Sequence, residues 1–204
     1  TRGISVIVGA PSRNETGHGK PLFNSAFILS DGKVQKHIHK TLLPTYDIFD
    51  EYRYFEPNRA FEVVEIKGVQ VGIAICEDLW NVGNNPLYTQ TPALALKDKG
   101  AKLIVNIAAS PFSYQQDVER KVVLRENAQK TGLPIVYCNH VGAQTELIFD
   151  GGSFFMNKNG EVASQEVFFE ESLIINELQI SSGEFKSGSI QSGNKIQLIH
   201  DGLL

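Results

Sequence analysis

The chain has 204 residues, 42% of them hydrophobic, and a formal charge of −4. That length suits one well-cored globular domain. The apolar runs are far too short to span a bilayer, no charged-then-apolar leader opens the chain, and unclustered basic residues leave no footprint for nucleic acid. Two cysteines, Cys76 and Cys138, argue against a disulfide scaffold and for a reducing, cytoplasmic setting.

Thr1-Arg2-Gly3 leads at once into Ile4–Gly9, an apolar run that reads as a fully buried strand. A core strand so near the first residue, with no initiator methionine, is expected of a domain cut from something longer. Strands follow at Phe23–Leu29, Val34–Ile38, Phe61–Ile66 and Val69–Ile75, then at Leu103–Ile107, Ile135–Asn139, Glu146–Phe149, Gly152–Met156 and Ser172–Asn176. Asp31-Gly32, Lys67-Gly68 and Asn159-Gly160 each lie between a pair of such runs, the hairpin pattern. A helix is expected over Thr91–Lys99, stopped by Gly100, and another over Asp117–Lys130, with Val118, Val122 and Ala128 on its inner side and Gly132 after it. Strands mixed with two helices, without strict alternation, predict a mixed-sheet α/β or layered sandwich fold. The Ser/Gly-rich stretch 181–195 reads as a linker, and 196–204 as the start of a following domain.

One position carries chemical information. Cys76 closes the apolar run 69–75 and is followed by Glu77, Asp78, Leu79 and Trp80. A cysteine at a strand end with polar company is placed where α/β sheets bind ligands. A thiolate nucleophile needs a positive partner. His18, His37, His39, His140 and His200 have no telling context, and no Cys/His pair has metal-ligand spacing. Lys40, at a strand end before a proline-broken aromatic loop, is the other candidate, although on local sequence alone a surface charge is the better reading.

Five blocks shift that balance. Lys40 through Tyr46 (Lys-x-x-Leu-Pro-x-Tyr) with Phe49 through Phe55, Val71 through Trp80, Asn106 through Phe112, Tyr137 through Glu146 and Phe149 through Ser153 resemble the nitrilase superfamily of carbon–nitrogen hydrolases. More narrowly they are similar to the glutaminase domains of glutamine-dependent NAD synthetases. The resemblance implies an α/β, four-layer αββα sandwich over residues 1–180, here lacking its first strand and helix. It implies Cys76 as nucleophile, Lys40 as its cation and oxyanion partner, Glu51 as the acid that orients Lys40, and the Glu77 N–H as second oxyanion donor. Tyr46, Glu77, Trp80 and Ser110 are implied around glutamine, each with a plainer reading: packing aromatic, solvated acid, core tryptophan, turn serine. Asp78 reads as structural. The superfamily's general base, a glutamate well upstream of the lysine, has no match; the one acid before Asp31 is Glu15, in a polar loop. The expectation is a truncated chain, inactive alone. No cofactor is implied for this domain, while ATP and Mg are implied for a covalently linked synthetase domain, within a homo-oligomer. A stand-alone amidase or carbamoylase, and a nitrilase-like interaction domain without catalysis, are the alternatives.

Overall fold

The computed structural model describes residues 1–83, 86–191 and 194–203. Its first unit is an antiparallel meander of β1 (Ser5–Arg13), β2 (Leu22–Ser30) and β3 (Lys33–His39), in that spatial order. Asp31 and Gly32 turn β2 into β3 with φ of 52° and 74°, the left-handed pair a tight hairpin requires.

After the four-residue helix α1 (Glu51–Tyr54) comes the main sheet, built of β4 (Val63–Ile66), β5 (Val69–Ile75), β6 (Leu103–Ala108) and β7 (Ile135–Asn139). Between them run α2 (Pro92–Asp98) and α3 (Gln116–Thr131). A side hairpin follows, β8 (Val141–Gln144) and β9 (Leu147–Asp150), and then β10 (Phe154–Met156) and β11 (Val162–Gln165) complete the main sheet. The spatial order is β11-β10-β7-β6-β5-β4, with β5, β6 and β7 parallel and the outer pairings antiparallel.

Alternation along β5 explains the layers. Val71, Ile73 and Ile75 join Ala26, Ile28 and Ile38 in a core between the two sheets. Ala74, on the other face, joins Leu96, Leu124, Ala128 and Tyr137 in a core under α2 and α3. Gly72 belongs to that second face: a Cβ there would come within 3.1 Å of Leu96, so glycine lets α2 lie close to the strand. Three layers, sheet on sheet on helix, therefore stand on the described residues.

Several expectations shift. Ile4–Gly9 is not a buried strand: β1 is a nine-residue edge strand, Val8 is half exposed on it, and Ile4 precedes it. Ser172–Asn176 forms no strand, and Leu173 and Ile175 stand almost fully exposed. Val118 and Val122 face outward on α3, whose buried stripe is instead Arg120, Leu124, Asn127, Ala128 and Thr131. Four strands were not anticipated: the glycine-broken β8, the short β11, and the two-residue pair β12 (Leu178–Gln179) and β13 (Glu184–Phe185). In the stretch read as linker, Phe185 is buried, Gly188 N–H donates to Ala163 O (2.9 Å), and Ser189 O accepts from Gln165 N–H (2.9 Å). Those residues are seated on the edge of the main sheet. The short helix α4 (Lys195–Asp201) follows, with the Asn194 side chain capping the Ile196 N–H at 3.0 Å.

Candidate active site

The carboxyl ends of β5, β6 and β7 lie side by side, the position where parallel strands deliver side chains to a ligand. Cys76 leaves the end of β5 with φ of +44°, a left-handed conformation that is strained for any residue with a side chain. It opens a 3-10 turn, Cys76–Leu79. The strain is held by bonds on either side. Asn106 Nδ2, from β6, donates to the Cys76 carbonyl at 3.3 Å, and Asp78 Oδ2 accepts the Ile75 N–H at 3.0 Å.

Lys40 follows the last residue of β3 and is only 1% exposed. Its Nζ donates to both oxygens of Glu51, each at 2.7 Å, so the ammonium is fixed from one side by the first residue of α1. Asp78 ties this segment to the cysteine turn: its Oδ1 accepts the Thr41 and Leu42 N–H groups at 2.9 and 2.8 Å. One buried carboxylate therefore spaces the lysine segment from the nucleophile turn, the structural part expected of Asp78.

Two cavities meet at Cys76 and Glu77. The first, about 390 Å³, is lined by Tyr46, Trp80, Ser110 and Gln116 among others, a fair size for a small ligand. The second, about 320 Å³, contains Lys40, Glu51 and His140. Cys76, Lys40, Glu51, Tyr46, Glu77, Trp80 and Ser110, the residues implied for catalysis and substrate, each line one of the two cavities. Glu15 lines neither.

Glu77 is buried, and its carboxylate accepts Tyr46 Oη at 2.9 and 2.8 Å and Tyr88 Oη at 3.1 Å. Ser110 is fixed by Arg120, which is itself 1% exposed: Nε donates to Ser110 Oγ (3.1 Å), Nη2 to Ser110 O (2.8 Å), and Nη1 lies 2.8 Å from the Asp150 carboxylate. Tyr88, Arg120 and His140 were not foreseen. Arg120 left one legible trace, a charge lying in the i, i+4, i+8 row with Leu124 and Ala128. Tyr88 left none; its loop is held by Asn81, whose Oδ1 accepts the Tyr88 N–H (3.1 Å) and whose Nδ2 donates to Tyr88 O (2.8 Å).

Electrostatics modify one expectation. Burial pushes the Cys76 thiol up, Lys40 pulls it down, and Glu51 and Glu77 push it up again; the net direction is up, not the lowering expected from the lysine alone. Burial works against the Lys40 ammonium, but the facing Cys76, Glu51 and Asp78 outweigh it and raise its pKa. Burial also raises Glu77, against the lowering effect of its two tyrosine donors. Asp78 is raised to about 6 by burial despite its three backbone donors. Among the described residues no group of three or more His, Cys, Asp or Glu is arranged to hold a metal ion, and no helix is long and apolar enough to cross a membrane.

A buried lysine locked to a glutamate and facing a strand-end cysteine, between two stacked sheets, is chemistry suited to attacking a carbonyl carbon bonded to nitrogen. The carbon–nitrogen hydrolase family matches residues 1–185, and the chain belongs to that family. Its relatives are more particular. The chain is 37% identical over 195 residues to the glutamine-dependent NAD(+) synthetase of Synechocystis sp., covering 93% of this chain and 35% of that protein. It is 37% identical over 178 residues to the Thermotoga maritima protein of the same name, covering 87% and 29%. It spans about a third of the length of these curated relatives. The solved glutamine-dependent NAD+ synthetase of Acinetobacter baumannii superposes with a TM-score of 0.88 at 33% identity, over all of this chain and 37% of that one. A carbon–nitrogen hydrolase from Helicobacter pylori shares the fold (TM-score 0.68, 24% identity, covering 80% of this chain and 58% of that one). The architecture is that of the nitrilase sandwich.

Proposed function

We propose that this chain is a glutaminase domain that releases ammonia from glutamine for a covalently linked synthetase domain. The observation that carries the reading is the Lys40 ammonium, almost fully buried, held at 2.7 Å by both oxygens of Glu51 and sharing a cavity with Cys76. A surface charge has no reason to be so placed, since removing an ammonium from water is costly unless it is used or paired.

In this reading Cys76 Sγ attacks the side-chain carbonyl carbon of glutamine and the C=O π pair moves onto oxygen. Lys40 and the Glu77 N–H hold that oxyanion. The tetrahedral intermediate collapses, the C–N bond breaks, and the leaving nitrogen takes a proton to depart as ammonia. Water then attacks the γ-glutamyl thioester, giving glutamate and restoring the thiol. For Cys76 to attack, the thiol proton must go to a base. Lys40 is already protonated and Glu51 is engaged with it, so the superfamily's upstream glutamate is the expected acceptor. Glu77 faces the α-ammonium. Among the described residues, the charged ones lining the first cavity are Asp47, Glu77 and Glu119, and Asp47 and Glu119 are exposed, so the α-carboxylate is met by neutral donors, Ser110 and Gln116.

The names of the relatives, glutamine-dependent NAD(+) synthetases, support a coupling of glutamine to NAD synthesis; in the fuller scheme that the nitrilase resemblance implies, ATP, with Mg, activates nicotinic acid adenine dinucleotide in the linked domain, and ammonia completes NAD. A cytoplasmic homo-oligomer belongs to the same proposal. A diazo-ketone glutamine analogue tests it. The full-length gene product should be alkylated at Cys76, with glutamine slowing the labelling; labelling that glutamine does not slow, or none at all, overturns the assignment.

A further inference from the structure

Asn106 is 1% exposed, in the middle of β6. The parallel register sets it beside Ala74 on one side and Tyr137 on the other, in the apolar layer under the helices. Its Oδ1 has no hydrogen-bond partner. A leucine would suit such neighbours better, so a carboxamide kept there at a cost calls for a reason. Its Nδ2 has one external use: the 3.3 Å bond to the carbonyl of Cys76.

We propose that Asn106 is a positioning residue that aims the oxyanion donor. This rests on the amide-hydrolysis reading above. The peptide joining Cys76 to Glu77 is planar and trans, so its C=O and N–H point in opposite directions. Asn106 draws the carbonyl towards the helix layer. The Cys76 side chain packs on the opposite side, with the core between the two sheets, where Lys40 shares its cavity. Fixing the carbonyl therefore turns the Glu77 N–H to the side where the substrate oxygen gains charge. A left-handed residue such as Cys76, at φ +44°, sits in a costly backbone well and needs outside bonds to keep its peptide plane there. Asn106 acts through the peptide and touches no reacting atom.

Asn106→Leu in the full-length gene product tests this, because attack on a carbonyl needs the aimed N–H whereas alkylation of Cys76 by iodoacetamide needs only the thiolate. Expected are a kcat for glutamine lower by about 10- to 100-fold, a KM within about twofold, and an alkylation rate against pH that overlays the wild type. A kcat within about threefold of wild type overturns the proposal. So does a parallel fall in kcat and alkylation, which would make Asn106 a general support of the turn. Should Asn106→Leu fail to fold, Asn106→Asp keeps the shape and donates only when protonated. Its kcat relative to wild type should then recover as pH falls, and a flat ratio overturns the proposal. Wild-type protein that does not hydrolyse glutamine sinks the function reading and takes this inference with it.

Discussion

Glu77 depends on two phenols for its charge. Burial holds its pKa above the ordinary carboxylate value, while the Tyr46 and Tyr88 hydroxyls pull the other way. It can pair an ammonium only when ionised, so KM for glutamine should rise as pH falls through that elevated pKa. Tyr88→Phe removes one of the lowering donors, the pKa climbs further, and the rise in KM moves to higher pH. Tyr88 does not line the first cavity, which separates this effect from lost contact. KM–pH profiles of wild type and Tyr88→Phe decide it; coincident profiles, or a move to lower pH, would remove Tyr88 from the site. The contrast in legibility is physical. Glu77 and Tyr46 sit in continuous motifs beside the nucleophile and the lysine, whereas Tyr88 arrives through an irregular loop folded by Asn81, seven residues away, an arrangement with no period to detect.

At the scale of elements, Asp78 decides whether the end of β3 and the end of β5 keep their spacing. Its pKa of about 6 lies above the 3.8 expected for the free side chain. The unfolded chain therefore ionises first as pH rises, and stability from this residue is full below pH 3.8, falls between 3.8 and 6, and is flat above. Those limits correspond to a loss of about 3 kcal/mol across the window. Asp78→Asn should lack this slope, so the urea midpoints of the two proteins should move relative to each other only within that window. It should also lower kcat, since an amide N–H₂ now confronts backbone N–H groups that need acceptors. Parallel midpoints across the window would show that folding does not raise the Asp78 pKa. Sequence placed α2 and α3 within a residue or two, because Pro92, Gly100 and Gly132 punctuate them. It misjudged the inner side of α3, where hydrophobicity named Val118 and Val122 but a buried salt bridge from Arg120 to Asp150 took precedence.

On the molecular scale, the site exists only where the two sheets meet: Lys40 comes from the meander and Cys76 from the main sheet, with Glu51 on the segment that joins them. Motif order exposed that assembly in the sequence, but periodicity alone did not. β1 illustrates the difference, since an apolar run suggested burial and the strand lies at an edge. The acids lining the two cavities are Asp47, Glu51, Glu77 and Glu119; two are already engaged in hydrogen bonds, and Asp47 and Glu119 are exposed and line only the first cavity. The isolated 204-residue chain should therefore be alkylated at Cys76 yet turn over no glutamine. Ammonia release above background from it would show that a residue inside the chain, with His140 the first to test, serves as base.

The left-handed turn at Cys76 sets protein fitness at odds with protein robustness. At φ +44° a glycine is relaxed and any side chain is not. Cys76→Gly should therefore be more stable than Cys76→Ala by about 1 kcal/mol, reversing the usual ranking of the two residues, and thermal melts of the pair measure it. A population of variants screened only for heat resistance should drift towards glycine at this position and lose its thiol. The cysteine persists only under selection for turnover, so its presence in a melting-temperature screen would report on activity rather than on folding.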